Sequence, residues 1–165
     1  LVEVGSSPWI VTIVNIRRYT EHVDDKSRAA GILAVCTETG RVLLSFSAKN
    51  QKYTGFGGYL TYGESFRDGA YREFSEETLY SGPLLLMQAY RHQSPVKNFE
   101  YLNFVGIVPD EFRPMLDKEN IEAEWFTLSQ IYGGRMPLLP EFEEFTIEAK
   151  PFLEGLLKTF DILSD

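Results

Sequence analysis

Positive charge is in short supply in this sequence. Lys and Arg number 16 against 24 Asp and Glu, a formal net charge of −8 at pH 7. A surface that acidic repels a polyphosphate chain, so a nucleic-acid partner gripped by a basic face is not expected. An anionic substrate would need a metal to offset the acidity. Cysteine is nearly missing as well. Cys36 stands alone, which excludes an internal disulfide and fits a reducing compartment. It sits in the apolar run "AAGILAVC", where burial is expected rather than nucleophilic chemistry. Long apolar runs are also wanting. The longest, "WIVTIVNI" at 9–16, falls far short of the roughly 20 residues that cross a bilayer. No basic stretch followed by an apolar core opens the sequence. The expectation is a cytoplasmic protein with no membrane partner.

Repeats, low-complexity tracts and interdomain linkers are likewise lacking. A chain of 165 residues with 44% hydrophobic content then suits one domain over 1–165 with a single sizeable core. Residues 9–16 read as a strand from their β-branched content, and the polar stretch 17–28 as the connection after it. "AAGILAVC" and "RVLLSFS" have strand length and are split by "TETG", a hairpin-type turn at Gly40. "SAKNQKYTGFGG" reads as a glycine- and lysine-containing loop. Residues 65–80 have helical spacing and no proline. "PLLLMQAYRH" and "FEYLNFVGIV" read as two further strands around the turn "QSPVKN", and "AEWFTL" as a late short one. Ser129 is positioned to cap a helical turn at "SQIY". The stretch 140–165 reads as a C-terminal helix, with Phe142, Phe145, Phe152 and Leu156 at helical intervals and a kink or restart at Pro151. Strands on either side of one central helix, with a helix at the end, predict a mixed α/β or α+β sandwich around a mixed central sheet.

The central helix carries Glu73, Glu76 and Glu77. On a wheel turning ~100° per residue, Phe66, Ala70 and Phe74 define the apolar stripe. Glu77 falls roughly 20° from its centre, Glu73 roughly 60° and Glu76 roughly 120°. Arg72 lies one turn before Glu76, in reach of an i,i+4 pair. A solvated acidic face belongs opposite the stripe, yet Glu73 and Glu77 sit on it or beside it. Buried carboxylates need a proton, a cationic partner or a metal. Clustered carboxylate oxygens are what a hard divalent cation such as Mg²⁺ selects. The alternating-oxygen loop of a structural Ca²⁺ site is not present. Ahead of the helix, Gly57 and Gly58 permit close backbone approach, and Ser65 reads as the N-cap with Asp68 at the third helical position.

Gly58, Glu64, Arg72-Glu73-Phe74 and Glu76-Glu77 are separated by five, seven and one residues. This resembles the signature box of the Nudix hydrolases, Gly-x5-Glu-x7-Arg-Glu-apolar-x-Glu-Glu-x-Gly-apolar, here at 58–80. The six matched positions coincide by chance at roughly one in ten million per starting residue. One position departs: Leu79 stands where the box has glycine, the residue that ends the helix in a left-handed conformation. Gly82 is the expected substitute, giving a slightly longer helix. The strand order from about residue 29 to 132 also looks like that family's fold.

The resemblance implies Mg²⁺-dependent hydrolysis (Mn²⁺ as substitute) of a nucleoside diphosphate linked to another moiety, with water attacking phosphorus. A divalent cation offsets the substrate's concentrated negative charge and lowers the pKa of water. By position, Glu73, Glu76 and Glu77 with the Gly58 carbonyl are the implied metal ligands. Arg72 would orient them, and Glu64 would support them. The general base is either a box acid or a later glutamate. Among Glu119, Glu122 and Glu124, the first is favoured because it precedes the late strand.

For the substrate, Tyr53, Phe56 and Tyr59 flank the glycines and are candidates to stack on a base. Lys49, Lys52, Arg91 and His92 are candidates for phosphate. Two cues conflict. Pro95 resembles a mark of hydrolases of ADP-ribose type, whereas "GFGG", "EWFTLSQI" and Glu141 as a base-reading acid look like the triphosphate-cleaving branch. ADP-ribose or nucleotide sugars, dinucleoside polyphosphates and (deoxy)nucleoside triphosphates all stay open. Capped RNA is disfavoured by the acidic surface. The alternative from another class is a catalytically silent nucleotide-binding module, and such a protein should lack box acids that this one keeps. A homodimer supported by the apolar tail is compatible with all of this.

Overall fold

Strand β1 (Ser27–Cys36) is buried along nearly its whole length, the pattern of a strand covered on both faces. In the computed structural model, which describes residues 27–94, 96–116 and 120–160, β1 is the centre of a seven-stranded sheet. It runs parallel to β6 (Phe99–Val108) in uninterrupted register from Ser27 opposite Phe99 to Cys36 opposite Val108. Its other edge is shared. The first half pairs antiparallel with β4 (Phe56–Tyr59), and the second half with β2 (Val42–Ser47). β2 also pairs with β3 (Lys52–Thr54) and β7 (Asn120–Phe126), while β5 (Leu85–Ser94) forms the far edge against β6. The sheet is therefore mixed, as the sequence predicts. The strand expected at 9–16 lies outside the described residues.

Helix α1 (Phe66–Thr78) covers one face, and α2 (Leu128–Tyr132), α3 (Pro140–Glu148) and α4 (Lys150–Thr159) cover the other. Period-two alternation divides the core accordingly. Ala30, Ile32, Leu43, Leu102 and Phe104 face α1 and meet Ala70 and Phe74. Leu33, Val35, Leu44 and Val105 face the other way and meet Phe142, Phe145, Leu153 and Leu157. Cys36 is buried, as its apolar neighbours imply. The tail divides at Ala149 into α3 and α4, the restart expected around Pro151.

Three expectations are corrected. The stretch 47–58 is not simply a loop. It contains β3 and β4, strands whose glycine-rich sequence has little β propensity and which exist through their pairing with β1 and β2. The cap of α2 is Thr127 rather than Ser129. The Thr127 side chain accepts from Gln130 N–H, and the Gln130 side chain accepts from Thr127 N–H, a reciprocal capping box.

Helix α1 does not run on to Gly82. It stops at Thr78 because Leu79 itself takes the left-handed conformation, φ 53° and ψ 23°, its N–H donating to Ser75 O at 2.9 Å. Thr78 Oγ1 donates to Phe74 O, and Met115 N–H donates to the freed Thr78 carbonyl. The turn is thus imposed on a residue that disfavours it. Leu79 is 61% exposed, so it has little packing to lose. Leu79→Gly is expected to stabilise the fold by about 0.5–1 kcal/mol, relief of left-handed strain outweighing the extra freedom of the unfolded chain. Denaturant unfolding measures this; a destabilised variant would show that the Leu79 side chain is itself needed.

Candidate active site

The elements around the acids are fixed by local chemistry. Ser65 caps α1, accepting from Asp68 N–H at 3.1 Å while its hydroxyl donates to the Asp68 carboxylate at 2.7 Å. Ala70 and Phe74 then anchor the helix on the sheet, with the Phe74 ring edge-on to Phe56 at 5.7 Å. That packing leaves Glu73 and Glu77 partly covered and Glu76 exposed, as the wheel predicts. Glu73 is 18% exposed and Glu76 60%, while Glu77 is half-buried. Phe66 lies at the rim of the stripe, beneath the guanidinium groups of Arg28 and Arg91.

Arg72 gathers the carboxylates. It donates to Glu64 through Nε at 2.8 Å and Nη2 at 3.0 Å, to Glu73 at 2.7 Å and to Glu76 at 3.3 Å. A further bond from Nη2 to Tyr59 O at 3.0 Å fastens the cluster to β4. The expected i,i+4 pair with Glu76 is present but is the longest of these contacts. Glu64 also accepts from Thr61 N–H at 2.9 Å. The Arg72 hydrogen bonds, then the Thr61 N–H, hold the Glu64 carboxyl down to about 2. Glu64 and Glu73 in turn push Arg72 still further into its charged form.

A carboxylate with a lowered folded-state pKa stabilises the fold above its unfolded value and loses that contribution as pH falls through the folded value. The melting temperature of Glu64→Gln should therefore lie below the parent's by a constant margin above about pH 5. The margin should close between about pH 4.5 and 2. A margin unchanged down to pH 2 would assign the effect to packing instead.

The two glycines of β4 face opposite ways. A Cβ on Gly58 would lie 2.5–2.7 Å from the carboxylate of Glu73, so the bare backbone is what lets that acid settle on the strand. A Cβ on Gly57 would strike Ala30 O, the Tyr101 hydroxyl and Gly31 Cα. Gly57 N–H donates to Glu77 at 2.9 Å. Tyr101, on β6, drives its hydroxyl into the notch that Gly31 and Gly57 leave open. Burial pushes its phenol pKa well above the ordinary value, with Glu77 and Glu73 adding to the shift, so it remains a neutral hydroxyl. The sequence reading missed Tyr101. Its signal was a polar tip at alternate positions, Tyr101 and Asn103, on one face of a largely apolar strand.

On the side of the sheet covered by α3 lies a cavity of about 630 Å³. Tyr59, Phe99, Tyr101, Asn103, His92 and Glu141 are among its walls. Tyr59 is exposed, with its ring edge-on to Phe99 at 6.1 Å. The cavity and the acids thus lie on opposite faces of β4, which lends Phe56 and Tyr59 to the cavity wall and Gly57 N–H and Tyr59 O to the acid cluster.

Of the residues singled out for substrate, Tyr59, Glu141 and His92 reach this cavity. Phe56 contributes to its wall, but its ring is buried against Phe74 and offers no free face for stacking. Tyr53 does not reach it. Its ring packs between Phe46 and Phe126, and its backbone pairs with Pro137 and Leu139. Arg91 is committed to Glu100 at 2.6 Å, and neither it nor Lys49 nor Lys52 lines the cavity. Glu122 and Glu124 lie opposite Phe46 and Leu44 in register, away from α1, and their charges help raise the pKa of Tyr53. Glu119 and Pro95 lie outside the described residues.

The donor set fits a hard divalent cation: three carboxylates and a backbone carbonyl at a glycine that a Cβ would block. Among the described residues, no three such side chains converge on one point as they stand. Glu73 is instead turned to Arg72, and Glu77 to Gly57 N–H. No described helix is long and apolar enough to cross a membrane.

The comparisons agree with this geometry. The family model of the NUDIX domain matches residues 25–150. No curated protein sequence matches the chain. Among solved structures, a MutT/nudix family protein from Enterococcus faecalis superposes with a TM-score of 0.66 at 15% identity, covering 87% of this chain and 70% of its own. The NUDIX domain of Shewanella oneidensis NrtR, complexed with ADP ribose, gives 0.63 at 14% identity over 76% and 87% of the two chains. A C. elegans Ap4A hydrolase in a binary complex gives 0.63 at 18% identity over 77% and 98%. At such identities the likeness is one of fold. The match of the family model over most of the sequence, together with the acid helix and its glycines, shows that the chain belongs to the Nudix family, hydrolases of pyrophosphate bonds that generally use divalent metal ions.

Proposed function

We propose that the protein is a Mg²⁺-dependent pyrophosphohydrolase that cleaves a nucleoside diphosphate linked to another moiety, with water attacking phosphorus. The observation that carries this reading is the junction at β4, where a nucleotide-sized cavity on one face meets an Arg72-bound carboxylate cluster on the other. Glu73, Glu76, Glu77 and the Gly58 carbonyl would hold the cation, with Mn²⁺ as a substitute. When bound, it supplies neutralisation of the diphosphate charge and a lowered pKa for water. Arg72 keeps the carboxylates in place, and Glu64 holds Arg72 through two hydrogen bonds. Tyr59 and Glu141 offer the nucleoside an aromatic face and an acceptor. With Glu122 and Glu124 on the far face, the proton of the attacking water falls to a box acid or to Glu119.

The names of similar structures include a domain bound to ADP ribose and a hydrolase of Ap4A. Nucleoside-diphosphate conjugates, dinucleoside polyphosphates and nucleoside triphosphates are accordingly the substrate classes to try. The test is a panel of these compounds with Mg²⁺, both products identified by mass, run in isotope-labelled water. Expected are a nucleoside monophosphate product, label on phosphate oxygen and no turnover in excess chelator. Tight binding of a nucleotide with no cleavage at any metal concentration would establish the silent binding module instead. Turnover that persisted in chelator would overturn the metal assignment.

A further inference from the structure

Tyr90 and His92, two residues apart on β5 beyond its irregularity at Gln88–Tyr90, share the sheet face covered by α3. Glu144 of α3 lies over both. Tyr90 donates its hydroxyl hydrogen to Glu144 Oε1 at 2.6 Å, and His92 Nδ1 lies 3.3 Å from the same carboxylate. The Tyr90 ring is itself stacked on Phe145, which is buried, so the hydroxyl that steadies Glu144 is anchored in the core. The Tyr90 hydrogen bond, with a smaller contribution from His92, holds the Glu144 carboxyl below its ordinary range, so it is ionised.

An ionised carboxylate only accepts hydrogen bonds, so the imidazole hydrogen must be on Nδ1. In the neutral ring this leaves Nε2 as a lone pair. His92 is also a wall of the cavity, next to Tyr101 in register and together with Asn103 and Glu141. A carboxylate and a tyrosine on two different elements therefore fix the tautomer of a cavity-lining histidine. The acid cluster does not use it.

We propose that His92, oriented by Glu144 and Tyr90, is a specificity-determining residue that accepts a hydrogen bond from an O–H or N–H of the nucleoside moiety in the cavity. The inference rests on the nucleotide reading above. The donor has two sources, a ribose hydroxyl or an amine of the base, and the choice is experimental. Glu144 is a positioning residue that acts through the histidine.

The test is calorimetric binding in excess chelator, where no turnover intrudes. The probes are adenosine monophosphate, its 2′,3′-dideoxy analogue and purine riboside monophosphate, which lacks the amine. The parent should bind one of the two depleted probes about fivefold more weakly than adenosine monophosphate, the worth of one hydrogen bond. Loss with the dideoxy analogue identifies the ribose; loss with purine riboside identifies the base. His92→Phe keeps a ring of similar size and should bind the intact probe as weakly as the depleted one, erasing the difference. In Glu144→Gln the amide can donate to Nδ1, which moves the ring hydrogen to Nε2. That variant should erase the difference too, with a melting temperature only slightly below the parent's, the loss expected when a hydrogen-bonded surface carboxylate is neutralised. A parent that binds all three probes equally, or a His92→Phe that keeps the parent's ranking, overturns the inference and leaves the nucleotide reading standing. No binding of any probe to the parent overturns both.

Discussion

Glu77→Gln should turn over substrate at least about a hundredfold more slowly than the parent, a loss of ~3 kcal/mol of transition-state stabilisation. Of the three acids on α1, Glu77 lies nearest the apolar stripe, and its carboxylate accepts from Gly57 N–H at 2.9 Å. Glutamine keeps the volume and an oxygen for that N–H, so the strand–helix contact survives. What it removes is one negative charge and one metal-ligating oxygen. The melting temperature without metal should stay within a few degrees of the parent's, because relief from the neighbouring carboxylates offsets the weaker hydrogen bond. Added Mg²⁺ should raise the parent's melting temperature more than the variant's, since binding to the native state alone stabilises by mass action. A purely structural Glu77 predicts a lower melting temperature without metal and full activity in the folded fraction. Melting curves with and without Mg²⁺, read beside turnover, decide between them.

Gly57→Ala and Gly58→Ala should fail in different ways, although the residues are adjacent. The Cβ added at Gly58 meets the end of the Glu73 side chain, which can swing aside. Turnover should fall at least about a hundredfold as a ligand carboxylate leaves its seat, while stability drops only by about 1 kcal/mol. The Cβ added at Gly57 meets backbone: Ala30 O and Gly31 Cα on β1, as well as the wedged Tyr101 hydroxyl. Backbone in a central strand cannot step back without breaking its pairing. The cost should be about 3 kcal/mol, seen as a melting temperature lower by roughly 6–12 °C. Equal melting temperatures for the two variants would show that β1 yields more readily than its double pairing suggests.

Much of the site was legible because its chemistry is local in the chain. Ser65, Asp68, Arg72 and the three glutamates sit within four turns, and a helix converts that spacing into a geometry with little freedom left. The exposure of Glu73 and Glu76 follows the wheel for that reason. The limits of β6 were legible too, since an apolar run bounded by turn residues leaves few choices. Where the reading went astray, the deciding partner was distant. Gly82 seemed the better helix stop, yet Leu79 takes the left-handed turn while the 109–116 loop meets the helix end, Met115 bonding Thr78 O. Tyr53 and Arg91 looked available because nothing adjacent engages them, but Phe126 and Glu100 do.

By itself, then, the sequence determined the acid helix, its cap, the glycine pair before it and the membership of a family. All of these depend on residue type and short-range spacing. Only the tertiary structure decided what surrounds them. It decided that β3 and β4 are strands, that Glu122 and Glu124 face away from the acids, and that Tyr101 occupies the notch between Gly31 and Gly57. It also brought Glu144 onto His92, 52 residues away in the chain, at the wall of the cavity. The physical reason is that a strand's state, and the side a residue shows, depend on its neighbour in the sheet. That neighbour is chosen by pairing and burial across the whole chain and not by the residues on either side.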